Sequence, residues 1–162
     1  MKITLIAAMD GKDGIGKNGA LPWHIPEDLK HFVNLTQFGF VVMGSKTWDS
    51  LPRKPLPFRA NIVLSRDIWQ TKFDDADKVF NDINELIKYC KQITSEIFII
   101  GGASIYEQFL PHATHMVLTK TDLGIDYECD TFFPDFDESE WICTETKGLC
   151  DLVWVEYLER KQ

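Results

Sequence analysis

The chain has 162 residues, of which 44% are hydrophobic and 26% charged, a composition typical of one globular domain rather than a disordered chain. A net charge of −8 disfavours nucleic acid as a partner, and no apolar run approaches the ~20 residues that cross a bilayer. The N-terminal segment lacks the long apolar region of a signal peptide, so we expect a cytoplasmic protein.

Strand-like and helix-like segments alternate over the first two-thirds of the chain. The first apolar run, 3–9, predicts a buried strand. The helix predicted at 25–36 has Pro26 in its first turn, and a helical rhythm of less polar positions at Leu29, Phe32, Val33 and Thr36. A strand at 40–44 and a short helix at 45–51 follow.

The same patterns continue with strands at 60–65, 96–102 and 115–121, and with helices at 82–92 and 103–110. Segments 141–147 and 152–159 alternate in polarity, which predicts a closing antiparallel hairpin. Apolar strands joined by crossover helices predict an α/β fold in a single domain, 1–162. Its sheet would be mixed, mainly parallel and eight-stranded, with helices on both faces.

A literal G-x-G-x-x-G motif spans Gly14 to Gly19, directly after the first strand. A Rossmann site would need a helix to begin at these glycines, but Pro22 and Pro26 oppose an early helix. We therefore interpret 14–20 as a flexible glycine-rich lid over a site, with a plain connection as the alternative.

Three predicted strand ends carry groups that suit phosphates. Glycine turns lead into helices at 100–104 and 43–47, and the third strand end, 64–66, brings a hydroxyl and a guanidinium. Each alone is weak, because a glycine turn is common. Together they predict a ligand with a pyrophosphate and a further phosphate, which fits NADPH better than NADH.

Asp28 lies in the first turn of the first predicted helix, where the helix dipole alone would favour an acid. It also shares a face with Phe32 and Leu35, so its carboxylate would be partly desolvated and its pKa raised. Such a carboxylate suits a bidentate N–H donor, as in a 2-amino-4-oxo-pteridine.

The cysteines and histidines predict no metal site. Cys90, Cys129, Cys143 and Cys150 show no C-x-x-C pair, and reduced thiols are expected. His112 and His115 form H-x-x-H without an acid between them, and we interpret both as surface residues near a helix end.

The sequence resembles bacterial-type dihydrofolate reductases. The matching segments lie in family order over nearly the whole chain, at 5–8, 14–23, 26–29, 42–48, 55–57, 61–66, 100–106, 118–119 and 130–134. This resemblance implies the reduction of 7,8-dihydrofolate to tetrahydrofolate for one-carbon metabolism, with hydride transfer from NADPH to C6 and protonation at N5. It also implies antifolate binding, and nothing in the sequence demands more than a monomer.

The resemblance also implies residue roles. Asp28 would hold the pterin N3 and 2-amino group and favour protonation at N5, Thr119 would support Asp28, Trp23 would order a water, and Tyr106 would lie near the reacting carbons. Arg59 would pair with the α-carboxylate of the glutamate tail. The remaining substrate contacts would be Ile6, Ala8, Leu29, Phe32, Leu51, Arg53, Leu56 and Ile100.

The implied cofactor site spreads over the strand ends and the lid. Ser65 and Arg66 would approach the 2′-phosphate, and Thr47 would bind the other phosphates with nearby backbone groups. The full set is Ala8, Gly14, Ile15, Gly16, Asn18, Gly19, Ala20, Gly44, Ser45, Lys46, Thr47, Leu64, Ser65, Arg66, Ile100, Gly101, Gly102, Ala103, Ser104, Ile105 and Tyr106.

Several positions depart from the family pattern. Ser45 stands where a basic residue is common, and Ala103 replaces a third glycine. Lys54 resembles an insertion, the segment 122–129 is about two residues longer than usual, and Cys129 stands where glycine is common. Lid behaviour therefore does not transfer from the family.

Two alternatives share part of this pattern. A pyrimidine reductase of riboflavin synthesis would have the same fold and an NADPH site, but it would give Asp28 no evident function. A non-catalytic folate- or nucleotide-binding protein would have no use for the lid, Asp28 and Tyr106 together.

Overall fold

The computed structural model describes all residues, 1–162. Its strands are β1 (Lys2–Met9), β2 (Gly14–Gly16), β3 (Phe40–Gly44), β4 (Ala60–Leu64), β5 (Lys78–Phe80), β6 (Glu96–Ile99), β7 (His115–Thr121), β8 (Thr131–Phe132), β9 (Trp141–Cys150) and β10 (Val153–Arg160). The helices are α1 (Pro26–Thr36), α2 (Ser45–Ser50), α3 (Ile83–Ile93) and α4 (Ala103–Phe109). Three 3₁₀ turns lie at Thr71–Phe73, Leu110–His112 and Glu138–Glu140.

Eight strands form one sheet in the order β5-β4-β3-β6-β1-β7-β10-β9. All neighbours from β5 to β7 are parallel, and β10 runs antiparallel to both β7 and β9. This confirms the predicted α/β fold with a mainly parallel eight-stranded sheet and a closing hairpin. No helix is long and apolar enough to cross a membrane.

The core lies on both faces of the sheet, because strand side chains alternate between them. On one face, Leu5 and Ala7 of β1 pack with residues of α3 and α4, including Leu86 and Phe109. On the other face, Ile6 belongs to a smaller cluster with α2, to which partly buried residues of α1 add. Because these strands are parallel, their carboxyl ends lie at one edge of the sheet, between the two layers of helices.

Several local predictions need correction. The predicted strand at 96–102 ends at Ile99, because Gly101 has a φ of +116° that no extended strand accommodates. The predicted loop 14–20 contains a short strand, since β2 pairs with β8 in a separate two-stranded sheet. One strand of the eight-stranded sheet, β5, was not located from the sequence, because its three residues are too few for an apolar pattern to appear.

The stripe predicted for α1 is also only partly buried. Thr36 is its sole buried residue, whereas Leu29 and Val33 are 45% and 40% exposed. The helix packs on one face of the sheet through Phe32 and Leu35, so only part of its apolar stripe is covered. His112 is exposed after α4 as predicted, but His115 begins β7, is partly buried and bonds Thr114.

Candidate active site

A cleft at the carboxyl edge of the sheet gathers most of the predicted site residues. The ends of β1, β3, β4, β6 and β7 meet there, and α1 crosses above them with Asp28 in its first turn. Ligands bind at this edge in parallel α/β sheets, because the crossover loops and helix N-termini converge on it.

Asp28 is tied to the sheet by one short hydrogen bond. Thr119 Oγ1 donates to Asp28 Oδ1 at 2.6 Å, across 91 positions of sequence. Burial raises the pKa of the Asp28 carboxyl, while the Thr119 bond and the nearby His31 act in the opposite direction. Asp28 is therefore a half-buried acid whose ionisation depends on its neighbours.

Thr119 owes its position to β7, in the middle of the sheet. It is only 3% exposed and lies opposite Ala8 of β1 and Val155 of β10. Strands on both sides fix its backbone, so its hydroxyl is a well-positioned donor to helix α1.

Tyr106 lies beneath the cleft, on α4. Its hydroxyl donates to the carbonyl of Ile6, and burial, followed by the charge of Asp28, raises its pKa beyond the accessible range. The phenol therefore stays protonated. The ring also covers Gly101, where an added Cβ would lie 3.2 Å from the phenol oxygen.

The predicted substrate wall is largely apolar. Ile6 is buried, and Phe32, Leu51, Leu56 and Ile100 pack partly buried against its cluster. Leu29 and Arg53 are exposed. The cleft can therefore accept flat, mainly apolar rings.

Arg59 is held beside this wall. Its Nη1 donates to Thr36 Oγ1 and its Nε to the carbonyl of Pro57, both at 3.0 Å, and its guanidinium lies 5.7 Å from the Phe32 ring centre. Burial lowers its pKa. These contacts leave Nη2 as the guanidinium nitrogen without a protein partner, fit for an anionic group.

The two glycine turns pack directly against each other. Gly44 N donates to the carbonyl of Gly101 at 2.8 Å. A Cβ added at Gly44 would lie 2.8 Å from Ile105 Cγ1, and one at Gly102 would lie 3.6 Å from Thr47 Oγ1. The absence of side chains forms a backbone cradle at the starts of α2 and α4, as a phosphate-bearing cofactor requires.

The third strand end carries a more exposed basic group. Ser65 Oγ donates to the carbonyl of Asp67 and accepts from Asp67 N, so this hydroxyl takes part in a turn. Arg66 and Lys46 are exposed, while Ser45 and Leu64 lie deeper. The basic groups available for a second phosphate are therefore Arg66 and Lys46.

The predicted lid, 14–20, is tied to the segment 126–132. Asn18 N donates to Asp130 Oδ2 at 2.8 Å, and Asp130 N donates to the carbonyl of Gly16 at 3.0 Å. A Cβ added at Gly14 would collide with Cys129, at 2.5 Å. Ile15 packs against the core, whereas Gly19 and Ala20 are exposed.

Trp23 was predicted to order a water, but its contacts were not predicted, and His31 was not among the predicted site residues. Trp23 Nε1 is buried and has no hydrogen-bond partner in the protein, and its ring meets Tyr127 edge-on at 5.2 Å. His31 Nε2 lies 2.7 Å from the hydroxyl of Tyr157. The three-residue spacing of Asp28 and His31 was the available signal, since it places both on one helix face.

Comparison with known proteins agrees with this geometry. Residues 2–151 match the family described as Dihydrofolate reductase. The chain is 43% identical to a dihydrofolate reductase of Neisseria gonorrhoeae over 142 residues, covering 87% of this chain and 84% of that protein. It is 38% identical to the Bacillus subtilis dihydrofolate reductase over 139 residues, covering 86% and 79%.

A solved structure shares the fold over nearly the whole chain. The dihydrofolate reductase of Enterococcus faecalis, complexed with NADP(H) and the compound RAB-propyl, superposes with a TM-score of 0.91 at 29% identity. The match covers 99% of this chain and 97% of that one.

Proposed function

Because the chain belongs to the dihydrofolate reductase family of NADPH-dependent oxidoreductases, we propose that it reduces 7,8-dihydrofolate to 5,6,7,8-tetrahydrofolate. C6 of the pterin receives a hydride and N5 a proton, and the product supplies one-carbon metabolism. The observation that carries this proposal is the half-buried Asp28, held by Thr119 at the mouth of an apolar cleft.

Asp28 orients the pterin in this proposal. Thr119 occupies one lone pair of Oδ1, so the carboxylate can still accept from the pterin N3 and 2-amino groups as a pair. Its charge favours protonation at N5. Burial disfavours the charged carboxylate already in the free protein. The two N–H groups of the pterin would stabilise that charge when they bind.

The proton reaches N5 through water in this proposal. Trp23 Nε1, buried and unpartnered, is suited to donate to a water there, because a buried donor without a partner is costly. Tyr106 keeps its proton and bonds the Ile6 carbonyl, so it acts as a fixed floor near the reacting carbons rather than as an acid.

NADPH, when bound, supplies the hydride. The backbone cradle of Gly44–Thr47 and Gly101–Ile105 fits its pyrophosphate, because the missing side chains leave the backbone approachable. Arg66 and Lys46 would meet the 2′-phosphate, with Ser45 in the usual place of a basic residue. Ile15, Asn18 and their lid neighbours would cover the nicotinamide half and exclude water.

The outer cleft would take the rest of the substrate. The aminobenzoyl ring would lie between Phe32, Leu51 and Leu56, and Arg59 would pair with the α-carboxylate of the tail. Antifolates with a diamino-substituted ring would compete there, since they offer Asp28 a similar donor pair.

The decisive experiment follows NADPH absorbance with dihydrofolate as substrate, for the parent and for Asp28→Asn. We expect turnover in the parent and a loss on the order of 100-fold or more at neutral pH in the variant, with partial recovery in acid, where solvent supplies the proton. Asp75→Asn, an exposed acid outside the cleft, is the matched control.

Each contrary outcome has a distinct meaning. A folded parent that binds dihydrofolate without turnover would be a binding protein, and one that oxidises NADPH only with a pyrimidine substrate would be a pyrimidine reductase. An Asp28→Asn variant with parental activity at neutral pH would refute the role of this carboxylate.

A further inference from the structure

The helix that carries Asp28 has a second polar contact with the sheet. His31 lies three residues after Asp28, and its Nε2 is 2.7 Å from the hydroxyl of Tyr157 on β10. The two rings meet edge-on, with centroids 6.0 Å apart. The proposed mechanism gives neither residue a role.

Strand register places this contact beside the first one. Thr119 of β7 lies opposite Val155 of β10, and Tyr157 follows two residues later. Since side chains alternate along a strand, Thr119, Val155 and Tyr157 share one face of the sheet. The two contacts are spaced by ~4.5 Å along the helix and ~7 Å along the strands, so they dock α1 at adjacent points.

Few apolar side chains hold the first turns of α1: Ile25, directly before the helix, is buried, and Phe32 packs partly buried against the sheet. The helix has no side-chain N-cap, and Thr36 in its last turn is its only buried residue. Leu29 and Val33 are 45% and 40% exposed. The turn that bears Asp28 therefore has limited apolar packing, to which its polar contacts with the sheet add.

His31 is also an electrostatic neighbour of Asp28. Burial lowers the pKa of the imidazole, the charge of Asp28 raises it, and Lys147 of β9 lowers it. Burial raises the pKa of the Tyr157 phenol, and the charge of Glu145, which lies opposite it in β9, raises that pKa by a smaller amount. His31 is thus mainly neutral at neutral pH and gains charge in mild acid, where it would favour the Asp28 anion.

We propose that His31 and Tyr157 form a positioning pair for Asp28. Their hydrogen bond positions the turn of α1 that carries the carboxylate, and protonation of the His31 imidazole favours the ionised form of Asp28. This inference rests on the proposed function for its kinetic consequences. The coupling between His31 and Asp28 does not depend on turnover, and it can be measured separately.

The first test is an NMR titration of the histidine ring protons. The signal of His31 is identified by its loss in His31→Gln. In Asp28→Asn we expect the His31 pKa to fall, because the charge that raises it is gone. His115, partly buried at the far end of β7, is the internal reference and should not move. An unchanged His31 pKa would overturn the electrostatic half of the proposal, whatever the enzyme turns over.

The second test is the pH profile of kcat/KM for dihydrofolate. His31→Gln keeps an amide that can bond Tyr157 but removes the titratable charge. We expect its midpoint to move upward by about half a pH unit, because the cation that favours ionised Asp28 is lost. His115→Gln should keep the parental midpoint. An unmoved midpoint in His31→Gln would contradict the proposal.

Tyr157→Phe tests the hydrogen bond itself. It removes the hydroxyl and keeps the ring, and we expect kcat/KM to fall roughly fivefold, with Tyr89→Phe as a control in the remote helix α3. The double variant combines Tyr157→Phe with His31→Leu, because leucine, unlike glutamine, cannot bond the phenol. If the residues act as a pair, this double variant loses less than the product of the two single losses. A double variant whose loss of kcat/KM equals the product of the two single losses would refute the pair. A parent without turnover would instead refute the proposed function.

Discussion

The two halves of the cleft are built by different means. The proposed cofactor half is built mainly from backbone, with Gly44 and Gly101 joined by a main-chain hydrogen bond. The proposed substrate half is built from side chains of distant segments, with Asp28 held by Thr119 and Tyr106 held by the carbonyl of Ile6.

This difference separates rigidity from tunability. A backbone cradle has a fixed shape and leaves no room for a side chain at Gly44 or Gly101, so substitutions at those two glycines should have large steric effects. A carboxylate held by one hydroxyl in a half-buried site has an adjustable pKa, so its failures should be graded and pH-dependent. Substitutions in each half can test this contrast.

The largest effect is expected at Gly101. Gly101→Ala forces a side chain into a φ of +116°, with its Cβ 3.2 Å from the Tyr106 hydroxyl. We expect the variant to lose about 3 kcal/mol of unfolding free energy and more than tenfold in NADPH affinity. Denaturant unfolding and fluorescence titration measure the two. Gly148→Ala, with nothing within 4 Å of the added Cβ, is the control, and equal losses in both variants would show that Gly101 is not specially restricted.

The next effect is expected at Thr119. Thr119→Val keeps the shape of the side chain but removes the 2.6 Å donor to Asp28. The pKa of Asp28 should rise further, and kcat/KM for dihydrofolate should fall by roughly tenfold, since a hydrogen bond to a charged group is worth about 1.5–3 kcal/mol. Thr119→Ser should restore most activity. A valine variant with parental kinetics at every pH would contradict the dependence of Asp28 on this bond.

A smaller effect is expected at Arg66. If its exposed guanidinium meets the 2′-phosphate, Arg66→Ala should raise KM for NADPH roughly fivefold, the effect of about 1 kcal/mol, and leave KM for NADH unchanged. Steady-state kinetics with both cofactors measure this selectivity, and Lys88→Ala on α3 controls for net charge. An equal rise for NADPH and NADH would mean that Arg66 does not read the phosphate.

The smallest effect concerns the stability of the fold. The pKa of Asp28 is raised in the folded state, so the unfolded chain loses this proton more readily. The folded state therefore loses relative stability as the pH rises from the unfolded pKa through the folded one, so the penalty is larger at neutral pH than in acid. Asp28→Asn should raise Tm by about 2–4 °C at neutral pH and by less in acid. A Tm below the parental value at neutral pH would show that the carboxylate stabilises the fold.

Local patterns predicted the elements well where they were long and buried. The strands at β3 and β7 have the predicted bounds, because continuous apolar runs leave little choice of register. Strand β5 was missed because it has three residues, and β9 extends past its predicted end because most of its side chains face solvent. The pairing of β2 with β8 joins segments more than 100 residues apart, beyond any local pattern.

The sequence by itself determined the order of strands and helices, and it marked the glycine turns of the cofactor half, because backbone conformation depends mainly on adjacent residues. Only the tertiary structure decided which side chains meet. It set Thr119 beside Asp28, Ile6 beside Tyr106 and Tyr157 beside His31, at separations of 91, 100 and 126 positions. Those contacts arise from the stacking of α1 and α4 on opposite faces of the sheet. The resulting burial raises the pKa of Asp28, as its helix face shared with Phe32 and Leu35 predicted, whereas the opposing contacts of Thr119 and His31 come from the tertiary structure.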